Sequence, residues 1–141
     1  MKIILAFVML VVTGMQANSQ CDKKTVWHAS KADMVDASGN LLQRKEAVII
    51  FETDSQKLSL SFKESAEAGL EGTVKEKTCD WKEPFKNGKT VYHTTVSIDG
   101  RTSNASFTVE AKEAKIVLTI EIEIMNGKKF LIYIDSFEEV K

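Results

Sequence analysis

The chain has 141 residues, 43% hydrophobic and 28% charged, with 19 basic against 20 acidic side chains and a formal net charge of −1. That composition describes one globular domain and not a disordered chain. Near-balanced charge leaves no strongly positive field for nucleic acid or an anionic membrane surface, and a single proline leaves no Pro-rich linker.

Lys2 opens the chain, the apolar run Ile3 to Val12 follows, and Thr13 to Gln20 is rich in small and polar residues. A basic start, a short apolar stretch and a small-residue exit are the layout of a secretory signal peptide. As a helix the run would reach about 15 Å, roughly half the hydrocarbon thickness, so a membrane span is not expected. Ala17 and Ser19 fit the two small positions before a cut, giving a signal peptide over residues 1–19 and a mature domain over 20–141; a cut after Ala17 is the alternative. The mature domain is mildly acidic, and a secreted or periplasmic location follows. Lipid attachment at Cys21 ranks second, because Gln20 stands where bacterial lipoprotein signals carry a small residue.

Cys21 and Cys79 are the two cysteines. Export delivers both to an oxidising compartment, so a Cys21–Cys79 disulfide is predicted. Their separation gives neither a zinc spacing nor a CxxC redox pair, and no metal or cofactor is expected.

In chain order, Val26 to Val35 reads as an extended stretch, Asp36 to Asn40 as a turn, and Ala47 to Glu52 as a strand. Lys45, Glu46 and Glu52 read as charged guards on that apolar strand. Thr53 to Gln56 turns the chain into Leu58–Phe62, a clean alternation. Ser65 to Leu70 reads as one helical turn needing tertiary support. Gly72 to Trp81 is a strand of muddled parity, since Lys75, Lys77, Cys79 and Trp81 share a side; a bulge would reconcile it. Lys82 to Lys89, with Pro84 and Asn87–Gly88, reads as a loop.

The C-terminal half is plainer. Tyr92, Thr94, Val96 and Ile98 alternate before Asp99–Gly100, and Ala105, Phe107, Val109 and Ala111 after it. Past a short loop at Lys112–Ala114, the row Ile116, Leu118, Ile120, Ile122 and Ile124 has the period of two of a half-buried strand. Asn126–Gly127 accepts the positive φ of a tight hairpin, and Phe130, Ile132 and Ile134 form the returning strand. Residues 90–135 thus read as a four-stranded meander. About eight strands with no room for crossover helices predict an all-β antiparallel barrel or sandwich.

Chemistry is sparse. His28 and His93 sit on distant strands and read as boundary residues. Glu121 and Glu123 share one strand's polar side, whereas glycoside hydrolysis needs carboxylates on opposite sides of a substrate; Glu138 and Glu139 read as solvated. No nucleophile elbow, P-loop, dinucleotide fingerprint, HExxH or EF-hand loop occurs, so a non-enzymatic protein is expected. Asn104–Ala105–Ser106 matches a glycosylation sequon but falls in an alternating row and is read as incidental. Trp27, Trp81, Phe85 and Tyr92 could line a pocket, although core packing and lids over barrel ends is the favoured reading.

Trp27 in the first strand, the polar hairpin Asp36–Asn40, a Phe-bearing strand and then a meander resemble small secreted lipocalin-like domains, with Thr25 where those domains usually carry a glycine. The resemblance implies an eight-stranded up-and-down barrel enclosing a small apolar ligand; the inward rows alone fit an immunoglobulin-like sandwich equally. The expected function is an exported, monomeric binding domain, for a small hydrophobic molecule first. A protein-interaction or cell-envelope structural module is the second reading, and a small hydrolase or hydrolase inhibitor the third.

Overall fold

The computed structural model describes residues 21, 23–63, 69–98 and 100–140. The expected export segment lies outside them, as do residues 65–68 of the predicted helical turn and Asp99 of the predicted hairpin. Eight antiparallel strands follow one another: β1 (Lys24–Val35), β2 (Leu41–Thr53), β3 (Lys57–Lys63), β4 (Leu70–Glu83), β5 (Asn87–Ile98), β6 (Arg101–Lys112), β7 (Lys115–Ile122) and β8 (Lys129–Val140). Each pairs with the next and β8 pairs with β1, so the meander closes into a barrel and not a sandwich.

Burial alternates along most strands as the apolar rows require, with the start of β2 and the end of β8 exposed throughout. Ile116, Leu118, Ile120 and Ile122 face inward from β7, Ala105, Phe107, Val109 and Ala111 from β6, and Ile49 and Phe51 from β2. At the centre the Phe51 and Phe107 rings stack 5.8 Å apart, 6° from parallel. The outward rows are chiefly threonine, serine, lysine and glutamate. That polarity is the reverse of a membrane-spanning barrel, whose apolar band faces out. No helix among the described residues is long and apolar enough to cross a membrane.

Register shifts in β4 and β1 reconcile pattern with closure. In β4 the register shifts between Val74 and Glu76, so Gly72 and Val74 face inward on one side and Lys77, Cys79 and Trp81 on the other, which resolves the muddled parity. In β1 a shift between Ala29 and Lys31 occurs against both neighbours. Beyond it Ala32 lies opposite Ile132 and Lys45. Lys45 shares the parity of Ala47, Ile49 and Phe51 and so faces the inner side of β2, its Nζ 5.3 Å from the Phe62 ring centroid.

Other boundaries move as well. β2 begins at Leu41, because its first half is paired along β1. Leu70 opens β4 and is not helical. Asn87–Gly88 is strand; the turn is Pro84–Lys86, with the Lys86 amide donating to the Glu83 carbonyl at 3.1 Å. Proline at the second place of that turn and φ +60° at Phe85 in the third are type II features, usually satisfied by glycine there. Gly88 serves close approach instead: a Cβ on it would lie 2.5 Å from the Asp80 carbonyl oxygen and from Trp81 Cα. Glu123 and Ile124 leave β7 in a 3-10 turn, so Ile124 is exposed. β8 runs on to Val140, since Phe137 to Val140 pair with the start of β1.

A candidate binding surface at the open end

The two barrel ends differ. At the first, the β4–β5 turn carries Phe85 over the interior. Its ring stacks on Phe137 at 4.2 Å and lies 5.8 Å from Trp27 and 6.0 Å from Trp81. Each indole also has a polar anchor: Trp27 Nε1 donates to Thr53 Oγ1 at 3.2 Å, and Trp81 Nε1 to Thr90 Oγ1 at 2.7 Å. Beneath this plug Cys21 and Cys79 form the predicted disulfide, Thr90 Oγ1 lies 3.3 Å from Cys21 Sγ, and Lys77 Nζ donates to the Cys21 carbonyl at 3.0 Å. The bridge occupies the sulfur that a thioether lipid at Cys21 would need. Three of the four aromatics singled out in the sequence thus close one end, and Tyr92 is buried further along β5. Phe85→Ala keeps the unfavourable φ but loses the ring, so it is expected to lower the melting temperature by several degrees. A red shift of tryptophan emission should accompany it, as water reaches Trp27 and Trp81.

The opposite end holds the β1–β2 and β7–β8 turns, which touch through Ala37 and Gly127. Asp36 builds the first, its Oδ1 accepting the amides of Ser38 and Asn40 at 2.9 Å each. On the side facing β3, the last pair of β2 is Val48 with Lys63. Residues 41–47 continue past it, bonded among the described residues to β1 alone. Along this edge Leu41, Leu42 and Val48 are exposed by 53%, 48% and 46%. Inward-facing Met34, Phe62, Ile98 and Phe130 are only half-buried here.

Beside the edge a clasp ties β2 to β1 and β8. Asp33, 3% exposed, accepts Arg44 Nε at 2.8 Å and Nη2 at 3.0 Å, and the Tyr133 hydroxyl at 2.9 Å. The Arg44 guanidinium, with help from Tyr133 and against the cost of burial, lowers the Asp33 carboxyl from 3.8 to about 2. A carboxyl lowered on folding contributes stability that is full above the unfolded value and is lost as pH falls through the folded one. The melting temperature should therefore drop between about pH 4 and pH 2. Asp36 and Asp54, lowered by the turn amides they accept, shift the same way. Asp33→Asn should flatten this acid limb without abolishing it; an unchanged limb by calorimetry would reject the assignment.

The histidines stay apart, on strands that are not neighbours. His28 Nε2 lies 3.2 Å from Glu138 Oε1, and His93 Nδ1 3.4 Å from Ser106 Oγ, both on the outer face. Glu121 is held by Lys129 at 3.0 Å, Glu123 accepts Asn104 Nδ2 at 3.1 Å, and Glu139 meets Lys23 at 3.3 Å. Asn104 and Ser106 of the sequon both project outward from β6. Among the described residues no group of three or more His, Cys, Asp and Glu could hold a metal ion. No family model matches the chain, and neither a curated protein nor a solved structure does.

Proposed function

We propose that this chain is an exported, non-enzymatic binding domain of lipocalin-like architecture that takes up an extended segment of a protein partner along the β2 edge. The observation that carries this reading is the run Leu41–Ala47, which continues past the last pair that the described residues form on the β3 side, with exposed apolar side chains beside it. An unpaired strand edge offers a row of backbone donors and acceptors, and a partner strand satisfies them while side chains supply specificity. Export supplies the oxidising compartment that the disulfide requires, and the apolar run at the N-terminus supplies the route.

Selection of extended peptides from a random dodecamer library on the mature domain, followed by amide hydrogen exchange, tests the reading. Protection concentrated at residues 41–47 is the expected result. Protection confined to other strands would reject it. A small apolar molecule held in the barrel is the second reading, favoured by half-buried Met34, Phe62, Ile98 and Phe130 at the open end. Native mass spectrometry of protein purified from its host's exported fraction would show such a molecule retained on the intact domain.

A further inference from the structure

At the β1 bulge an open trough of about 690 Å³ is lined by Ser30, Lys31, Lys45, Glu46, Ala47, Val48 and Lys63. Three lysines face one glutamate there, whereas the chain as a whole is slightly acidic. The grouping follows from topology. The bulge sets Lys31 beside Glu46, the end of β3 places Lys63 next to Val48, and inward-turned Lys45 is seen from the edge because β2 runs on past β3. Two lysines are also steadied by rings, Lys31 Nζ at 5.4 Å from the Tyr133 centroid and Lys45 Nζ at 5.3 Å from that of Phe62. Among the described residues neither Lys31 nor Lys63 forms an ion pair with a carboxylate.

We infer that the segment received by the β2 edge is acidic, carrying carboxylates on its outer face that reach Lys31 and Lys63 while its alternate apolar side chains turn to the inner side, toward half-buried Met34 and Phe62. The inference rests on the strand-addition reading above and adds the chemical class of the partner. Lysine charges pointing off an edge discourage pairing with a second copy of the same edge, since like charges would then face one another. A segment of opposite sign removes that repulsion, and its association is steered by the local field. The positive trough therefore acts as a selector among strands that would otherwise satisfy the same backbone groups.

The test uses fluorescence anisotropy of the mature domain with two labelled decapeptides, one alternating valine and glutamate and one with each glutamate replaced by glutamine. The glutamate peptide should bind roughly ten-fold tighter at low ionic strength, and most of that advantage should vanish at about 0.5 M salt. Lys31→Gln with Lys63→Gln should bring the two peptides close together while circular dichroism stays unchanged. Equal affinities with amide protection at residues 41–47 would overturn the acidic preference and leave strand addition standing. Binding of the glutamate peptide without protection there, or binding of neither peptide, would overturn both.

Discussion

Replacing Cys21 and Cys79 together by serine should lower the melting temperature of the mature domain by roughly 15 °C. The two cysteines are 58 positions apart, and closing a loop of that size restrains the unfolded chain by about 4 kcal/mol in the chain-entropy model. Native contacts add to the loss. Beyond Thr73, β4 has no further pairing with β3 among the described residues, and the bridge holds Cys21 against that stretch. Without the bond, Lys77 has to hold the Cys21 carbonyl against a loosened terminus, and the Thr90 hydroxyl under Trp81 loses its neighbour. Calorimetry of the wild type with and without reductant should reproduce the difference between wild type and double variant. A shift of only two or three degrees would mean that the plug, and not the bridge, secures this end.

The barrel was legible in the sequence wherever inward and outward residues differ in kind. Ile116 to Ile122 and Ala105 to Ala111 announce their strands because each inward place is apolar and each outward place tolerates water. Legibility fails where a side chain's surroundings are assembled by distant strands. Nothing local singles out Asp33, and only closure brings Tyr133, one hundred positions later, and Arg44 around it. Lys45 reads as a guard flanking a strand because nothing in its own run shows that β2 continues to Leu41 along β1, with Lys45 on the parity of Ile49 and Phe51. Asn87–Gly88 carries the strongest turn signature of its region, yet the turn falls at Pro84–Lys86 because Gly88 is needed for close approach to Trp81. For the site the lesson is similar. Trp27, Trp81 and Phe85 close an end, in line with their favoured reading as lids, while the β2 edge is a property of strand lengths, which alternation does not encode.

The asymmetry of the barrel follows from where its bulges and turns lie. One end is tied by a covalent bond and packed aromatics; the other is held by the Asp33 clasp and by contact between two tight turns. Recognition at the second end asks little of the first. Substitutions in the plug should therefore change stability more than peptide affinity, and those in the lysine trough should do the reverse.

Phe107→Ala should have the second large effect, and it bears on what the interior can hold. Phe107 is fully buried on β6, its ring stacked on Phe51 and its strand neighbours Tyr92 and Ile120 also buried. Truncation at such a place costs about 3–5 kcal/mol, part for lost transfer of the ring and part for the cavity left behind. The melting temperature should fall by roughly 10–20 °C. Because the Phe51 ring, Tyr92 and Ile120 border the vacated space, it should be chiefly apolar and accept a small apolar molecule. Benzene should then raise the melting temperature of the variant and leave the wild type unmoved, since the wild-type centre is filled by its own side chains. A comparable rise in the wild type would show that the barrel already has room, and the small-ligand reading would then displace strand addition as the function of this domain.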